Sequence, residues 1–196
     1  MNNYPEFVEV NGKKYKINTD FRIAIKCNEI AENKKIGNYE RALAIICVLY
    51  GKESIDDNEN LEQLLKLAKI YLACGKKIKE TDEKPDMSFS KDIDYIEASF
   101  MSDFHIDLSN TTMHWWKFMK LMNGLSNSEL GNCCVLNRIR NLRNYDASKI
   151  EDSKERQKII EAQKMVALED YNEEELTEEQ LRSANELDKI LGMRKE

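Results

Sequence analysis

At 196 residues, with 36 Asp and Glu against 30 Lys and Arg, the chain carries a formal charge of −6. With a pI near 5.2, it is not expected to neutralise a nucleic-acid backbone. Seven glycines, two prolines and 34 % charged residues argue against a long irregular or β-rich architecture, and the length suits one domain with an appendage or two small lobes.

The first residues, MNNYPEFVEV, lack the basic segment and apolar run of a secretory signal. The longest apolar stretch, Ala42–Tyr50, falls well short of the roughly 20 residues a membrane span requires. No membrane association is expected. The five cysteines, Cys27, Cys47, Cys74, Cys133 and Cys134, are odd in number and form no CxxC pair. Reduced core thiols are the expected state.

Phe7–Val10, Asn11-Gly12 and Lys13–Ile17 read as a β-hairpin. Asn-Gly supplies the two positive-φ positions of a type I′ turn, and the flanks alternate apolar with polar. A lone hairpin is marginal in water, so it must lie against another element. Asn18 or Thr19 can cap a first helix over about Asp20–Glu32, with Phe21, Ile23, Ala24, Ile25, Cys27, Ile30 and Ala31 on a broad apolar arc. Gly37-Asn38 breaks the chain. Tyr39–Tyr50 forms a second helix, apolar nearly all round and therefore expected to be buried. Asn58 or Asn60 opens a third, to Cys74, with Leu61, Leu64, Leu65, Ala68 and Leu72 on one stripe and Gly75 at C′.

Lys76–Met87 is charged and holds Pro85, which marks an exposed loop or hinge. Ser88 or Ser90 is placed to cap a fourth helix with Ile93, Ile96, Phe100 and Phe104 on one face, closed by His105–Leu108. Asn110 or Thr111 would start a fifth, containing both tryptophans and ending at Gly124. Ser126-Asn-Ser-Glu129 is a capping-box pattern for a sixth helix carrying Leu130, Cys133, Cys134, Leu136, Ile139 and Leu142. Ile150–Leu168 is helix-prone but thinly apolar. Beyond an acidic run over Glu169–Glu175, a second capping box at Thr177–Gln180 would open a last short helix through Leu191.

These patterns predict a mainly α fold: about six helices, a small N-terminal hairpin and a helical C-terminal arm. The expected divisions are a hairpin plus three-helix half over 1–75, a hinge over 76–88, a helical half with the tryptophan helix over 89–145, and an acidic arm over 146–196. With little apolar area of its own, the arm is expected to be detachable, partner-dependent or partly disordered.

His105, His114, Asp103 and Asp107 could be drawn as a metal site, but their spacing matches no zinc pattern, and capping and structural hydrogen bonds are expected instead. No GxSxG, phosphate loop or dinucleotide turn occurs. Cys133-Cys134 falls within an apolar helical pattern, where thiols are inert. A non-enzyme without cofactor is the expectation. Arg138, Arg140 and Arg143 form a local basic cluster, expected to be a salt-bridged helix end rather than a nucleic-acid contact.

In the tryptophan helix, Trp115, Phe118, Met119 and Met122 share one arc at i, i+3, i+4 and i+7. These are the expected core. Lys117 and Lys120 lie opposite with Met113 between them, and Trp116 sits on the flank. Met113 and Trp116, apolar but off the core arc, suit a surface that meets another protein, because methionine adapts and tryptophan anchors. The candidate partner-binding set is Met113, Trp116, Lys117, Lys120, Arg138 and Arg140.

Tyr15–Ile25 (YKINTDFRIAI), the DFHIDL segment, and Met113–Leu125 (MHWWKFMKLMNGL) followed by Asn137–Arg140 together resemble a family of tailed-bacteriophage proteins from Gram-positive hosts, the phage "gp15" protein family. Its gene lies between those for the major tail protein and the tape measure protein, and its members are regarded as tail-assembly-chaperone-like. The resemblance covers about Val8–Tyr145. It implies a soluble protein of the host bacterial cytoplasm that binds the tape measure protein and helps recruit subunits of the major tail protein. It also implies a possible second tail chaperone as partner, and a homo-oligomer. A structural tail completion or connector component is the alternative.

Overall fold

A computed structural model describes residues 4–33, 35–76, 85–127 and 133–168, and the fold is mainly α. Its elements are β1 (Phe7–Val10), β2 (Lys13–Lys16), α1 (Phe21–Glu32), α2 (Asn38–Tyr50), α3 (Leu61–Leu72), α4 (Ile93–Phe104), α5 (Trp115–Asn123), α6 (Val135–Asn144) and α7 (Ser153–Val166). Most of the expected hinge, the segment 128–132 and the expected last helix lie outside the described residues. No helix among the described residues is long and apolar enough to cross a membrane. The described residues fall into two units. One holds 4–76 and Thr112–Met119, and the other holds 85–111 and the described residues from Lys120 to 168.

In the first unit β1 and β2 pair antiparallel in the register Phe7↔Lys16, Val8↔Tyr15, Glu9↔Lys14 and Val10↔Lys13. Asn11 and Gly12 both take positive φ, 50° and 79°, as a turn that follows the strand twist requires. The hairpin's apolar face meets α2 and α3: Val10 and Tyr15 are buried with Ile46, Leu64 and Leu65. A polar network fixes its edge. Tyr15 donates its hydroxyl proton to Asp57 Oδ2 at 2.6 Å and accepts from Asn60 Nδ2 at 2.9 Å. Lys13 Nζ reaches Asp57 Oδ2 at 2.8 Å, and Asn11 Nδ2 donates to Asn60 Oδ1 at 2.6 Å. Of these donors Lys13, then Tyr15, does most to hold the Asp57 carboxyl down, at about 2. A carboxyl lowered by folding stabilises the fold above its unfolded value and loses that contribution as acid reaches its folded value. The stabilisation from the Asp57 contacts should therefore be complete at pH 5 and fall away as the pH drops from about 4 to about 2, where the carboxyl itself titrates. A titration of the Asp57 carboxyl carbon and the Tyr15 ring by NMR checks this; a midpoint at the ordinary 3.8 would remove the network as its cause.

Helix α1 begins at Phe21, one residue later than expected. Asp20, rather than Asn18 or Thr19, is its N-cap, with Oδ1 accepting from the Arg22 amide at 2.9 Å. Thr19 is occupied otherwise, because its carbonyl pairs with the Trp115 amide. Helix α2 packs on α1 and α3 but is not buried all round. Ile45, Ile46 and Leu49 are buried, while Leu43, Ala44, Cys47 and Val48 are half-covered. Helix α3 ends at Leu72, and the next residues turn with Cys74 and Gly75 both at positive φ, 54° and 73°. The Gly75 amide closes the turn on the Ile70 carbonyl.

In the second unit Ser88 donates its amide to Asp92 Oδ2 at 3.0 Å. Neither Ser88 nor Ser90 caps α4, which starts at Ile93. His105, left-handed at φ 56°, ends it, the position anticipated for the HIDL segment. Helix α6 starts at Val135 rather than near Ser126. Asn127 and Cys133 form an antiparallel bridge, and the Cys134 amide pairs with the Ser126 carbonyl at 2.9 Å. That pairing delays the helix, so Cys133 and Cys134 precede it, and Cys134 Sγ accepts from the Asn137 amide as N-cap. Helix α4 is joined to α6 through Ser99, whose hydroxyl accepts from the Leu136 amide at 3.0 Å. Asp103 accepts from the Ser126 amide at 2.8 Å.

Helix α7 forms where its propensity placed it, capped by Asp152, which accepts from the Glu155 amide at 2.8 Å. It is tied to α6 by side chains reaching carbonyls. Gln163 donates to Leu142 and Tyr145 at 2.9 and 2.7 Å, and Arg143 donates to Val166 at 2.6 Å.

Candidate functional site

The segment around the tryptophans is organised by the end of α3. The last carbonyls of a helix lack intrahelical donors. Trp115 Nε1 donates to the Leu72 carbonyl and Trp116 Nε1 to the Tyr71 carbonyl, each at 2.9 Å. Two adjacent indoles thus satisfy two adjacent carbonyls, which gives the Trp-Trp pair a structural purpose. A side chain at Gly75 would stand 3.3 Å from Trp116 Cη2, so both its positive φ and this approach favour glycine.

The backbone before α5 is extended rather than helical, which corrects the expected start at Asn110 or Thr111. His114 bridges Asp20: the Phe21 amide donates to the Met113 carbonyl at 2.9 Å and the Trp115 amide to the Thr19 carbonyl at 2.8 Å. Met113 therefore lies outside the helix, and helical spacing does not govern its direction. It is 5 % exposed. Its expected place on an open surface is corrected, because the strand-like pairing with α1 turns it inward.

On α5, Trp115 and Phe118 are buried, as their arc predicted. Met119 and Met122 are half-covered. Phe21 stacks on Phe118 with centroids 4.7 Å apart and planes at 8°, and Trp115 stacks on Phe118 at 5.5 Å. Trp116 is half-buried and lies 6.1 Å from Tyr71. Lys117 and Lys120 are exposed. Burial drives the Tyr71 hydroxyl upward in pKa, and it is buried without a hydrogen-bond partner among the described residues.

His114 caps α5 with its ring. Nδ1 accepts the Trp116 amide at 3.0 Å, which leaves Nε2 to carry the proton and donate to the Pro5 carbonyl at 3.1 Å. Tyr4 stacks on the ring at 4.8 Å. His114→Ala removes both bonds and should cost about 1–2 kcal/mol. Urea unfolding followed by tryptophan fluorescence measures it; an unchanged midpoint would show the cap to be dispensable. The histidine and aspartates thus make capping and structural bonds. Asp107 accepts from Ser109 and Asn110 at 2.5–2.9 Å. Among the described residues no three His, Cys, Asp or Glu side chains converge as a metal set.

The arginine cluster divides by role. Arg140 forms a forked pair with Asp86, at 2.9–3.2 Å. Arg143 forks onto Asp92 at 2.7 and 2.8 Å and also donates to the Asp86 carbonyl. The helix end is salt-bridged. Arg138 is exposed. Burial pushes the Cys27 thiol up to about 12, and no disulfide joins any of the five cysteines.

A family model described as "Bacteriophage Gp15 protein" matches residues 1–168. The chain belongs to that family. The match runs through every described element, α7 included, and makes this Gp15-family protein a phage structural or morphogenesis protein. No curated protein and no solved structure matches it. Sequence reasoning did not find two features of this Gp15 protein: the Asp57 network and the cleft lined by α6 and α7. Asp57 and Asn60 lie far along the chain from Tyr15, and a signal of that kind appears only as unexplained Asn and Asp beside a hairpin-facing helix.

Proposed function

We propose that this Gp15-family protein is a tail-assembly chaperone that acts by binding rather than catalysis. It holds the tape measure protein in the host bacterial cytoplasm and helps recruit major tail protein subunits, with self-association and a second tail chaperone as further contacts. Membership of the phage family over residues 1–168 carries this reading. The sequence resemblance centred on Asp103–Leu125 directs it to the tail, and Trp116, Lys117, Lys120, Arg138 and the Asp86-paired Arg140 are the accessible or half-accessible members of the candidate contact set.

Co-expression with the tape measure protein of the same phage should keep that protein soluble, and the two should co-purify. Absence of any complex with tape measure or tail-tube protein sinks the proposal. Mass spectrometry of purified particles separates it from the alternative, since a tail completion or connector component would be present in mature tails at fixed stoichiometry.

A further inference from the structure

In the second unit the end of α6, Tyr145, the segment Ile150–Asp152 and the first half of α7 line an open cleft of about 550 Å³. Leu142, Tyr145, Ile150 and Ile159 supply its apolar lining, with Glu151 and Glu155 among its polar lining. The cleft follows from how α7 is held. Hydrogen bonds from Gln163, Arg143 and Arg156 to backbone carbonyls fix this part of the chain, while no residue of the helix is buried. Its apolar stripe is only half covered. Tyr145 remains 48 % exposed.

Charge decides what fits. Glu151 and Glu155 are exposed and enter no ion pair among the described residues. Asp152 is committed to the α7 cap. Arg156 turns its guanidinium to the Ile150 and Glu151 carbonyls and does not line the cleft. The amino end of α7 contributes only about half a positive charge against three carboxylates. The rim is negative and the floor apolar.

We propose that this cleft receives an amphipathic helix of the partner, with a short apolar row flanked by Lys or Arg. This is helix-in-groove recognition with charge at the rim setting orientation. It rests on the chaperone reading for the identity of that partner, the tape measure protein.

The full chain, the Glu151→Lys/Glu155→Lys double variant and Tyr145→Ala are each assayed for tape measure binding by co-purification and titration. Each variant should weaken binding by about tenfold, and wild-type binding should fall with salt. If wild type binds and both variants bind equally well, the cleft is not the site and the chaperone reading stands. If wild type does not bind, the chaperone reading fails, and the cleft is judged with a synthetic Leu/Lys amphipathic helix against a Leu/Glu control. Amide shifts in α6 and α7 confined to the Lys peptide support the cleft. Equal shifts with both peptides, or none, overturn it.

Discussion

Arg143→Met should destabilise the second unit by about 3–5 kcal/mol. The side chains of Arg143 and Asp92 are 10 % and 1 % exposed, so removing the guanidinium strands a carboxylate that has little access to water. The attraction within such a pair roughly offsets the cost of burying it, so the pair adds little net stability; the unpaired ion is what costs. Arg143 also donates to the Val166 and Asp86 carbonyls, so the same change loosens α7 and the approach to α4. Asp92→Asn/Arg143→Met tests the cause. It removes the stranded charge while leaving an acceptor for the Ser88 amide, and should recover a large part of the loss. Both tryptophans belong to the first unit, so the readout is hydrogen exchange of α4 and α6 amides rather than tryptophan fluorescence. A loss within about 0.5 kcal/mol, the range of ordinary surface changes, would show the pair to be hydrated and unimportant.

What the sequence disclosed follows from the range of the interactions involved. The hairpin was legible because Asn11-Gly12 encodes its own turn. The helices were legible because Leu64, Ala68 and their like repeat at helical spacing, a signal confined to one turn of chain. Helix starts were less so. Asp20 and Cys134 took roles assigned to nearby residues because backbone pairing outside the helix occupied the competitors: Thr19 with Trp115, Ser126 with Cys134. The same cause misplaced Met113. A helical wheel presumes a helix, and the bridge to Asp20 replaced it with extended backbone. Nothing local signals that bridge. Arg140 and Arg143 form the expected salt-bridged end while Arg138 is exposed, and the partners Asp86 and Asp92 lie more than fifty residues away, beyond any spacing rule.

Trp115→Ala should cost about 3–5 kcal/mol, the usual range for deleting a buried aromatic, whereas Trp116→Ala should leave the chain folded. The two indoles make similar hydrogen bonds, so the difference lies in what surrounds them. Trp115 is 1 % exposed and stacks on Phe118, which stacks in turn on Phe21. Its loss opens a cavity in a three-ring stack and takes the indole donor from the Leu72 carbonyl. Trp116 is half-buried, and the Tyr71 carbonyl it serves keeps the Cys74 amide at 2.9 Å, so its loss should cost about 1–2 kcal/mol. With Met113 turned inward, Trp116 is the remaining apolar residue of the candidate contact set, and its loss should be read first in partner binding. Denaturation midpoints together with tape measure titrations separate the two effects. A Trp116→Ala chain as unstable as Trp115→Ala would make the pair a single structural device for the end of α3, with no share left over for recognition.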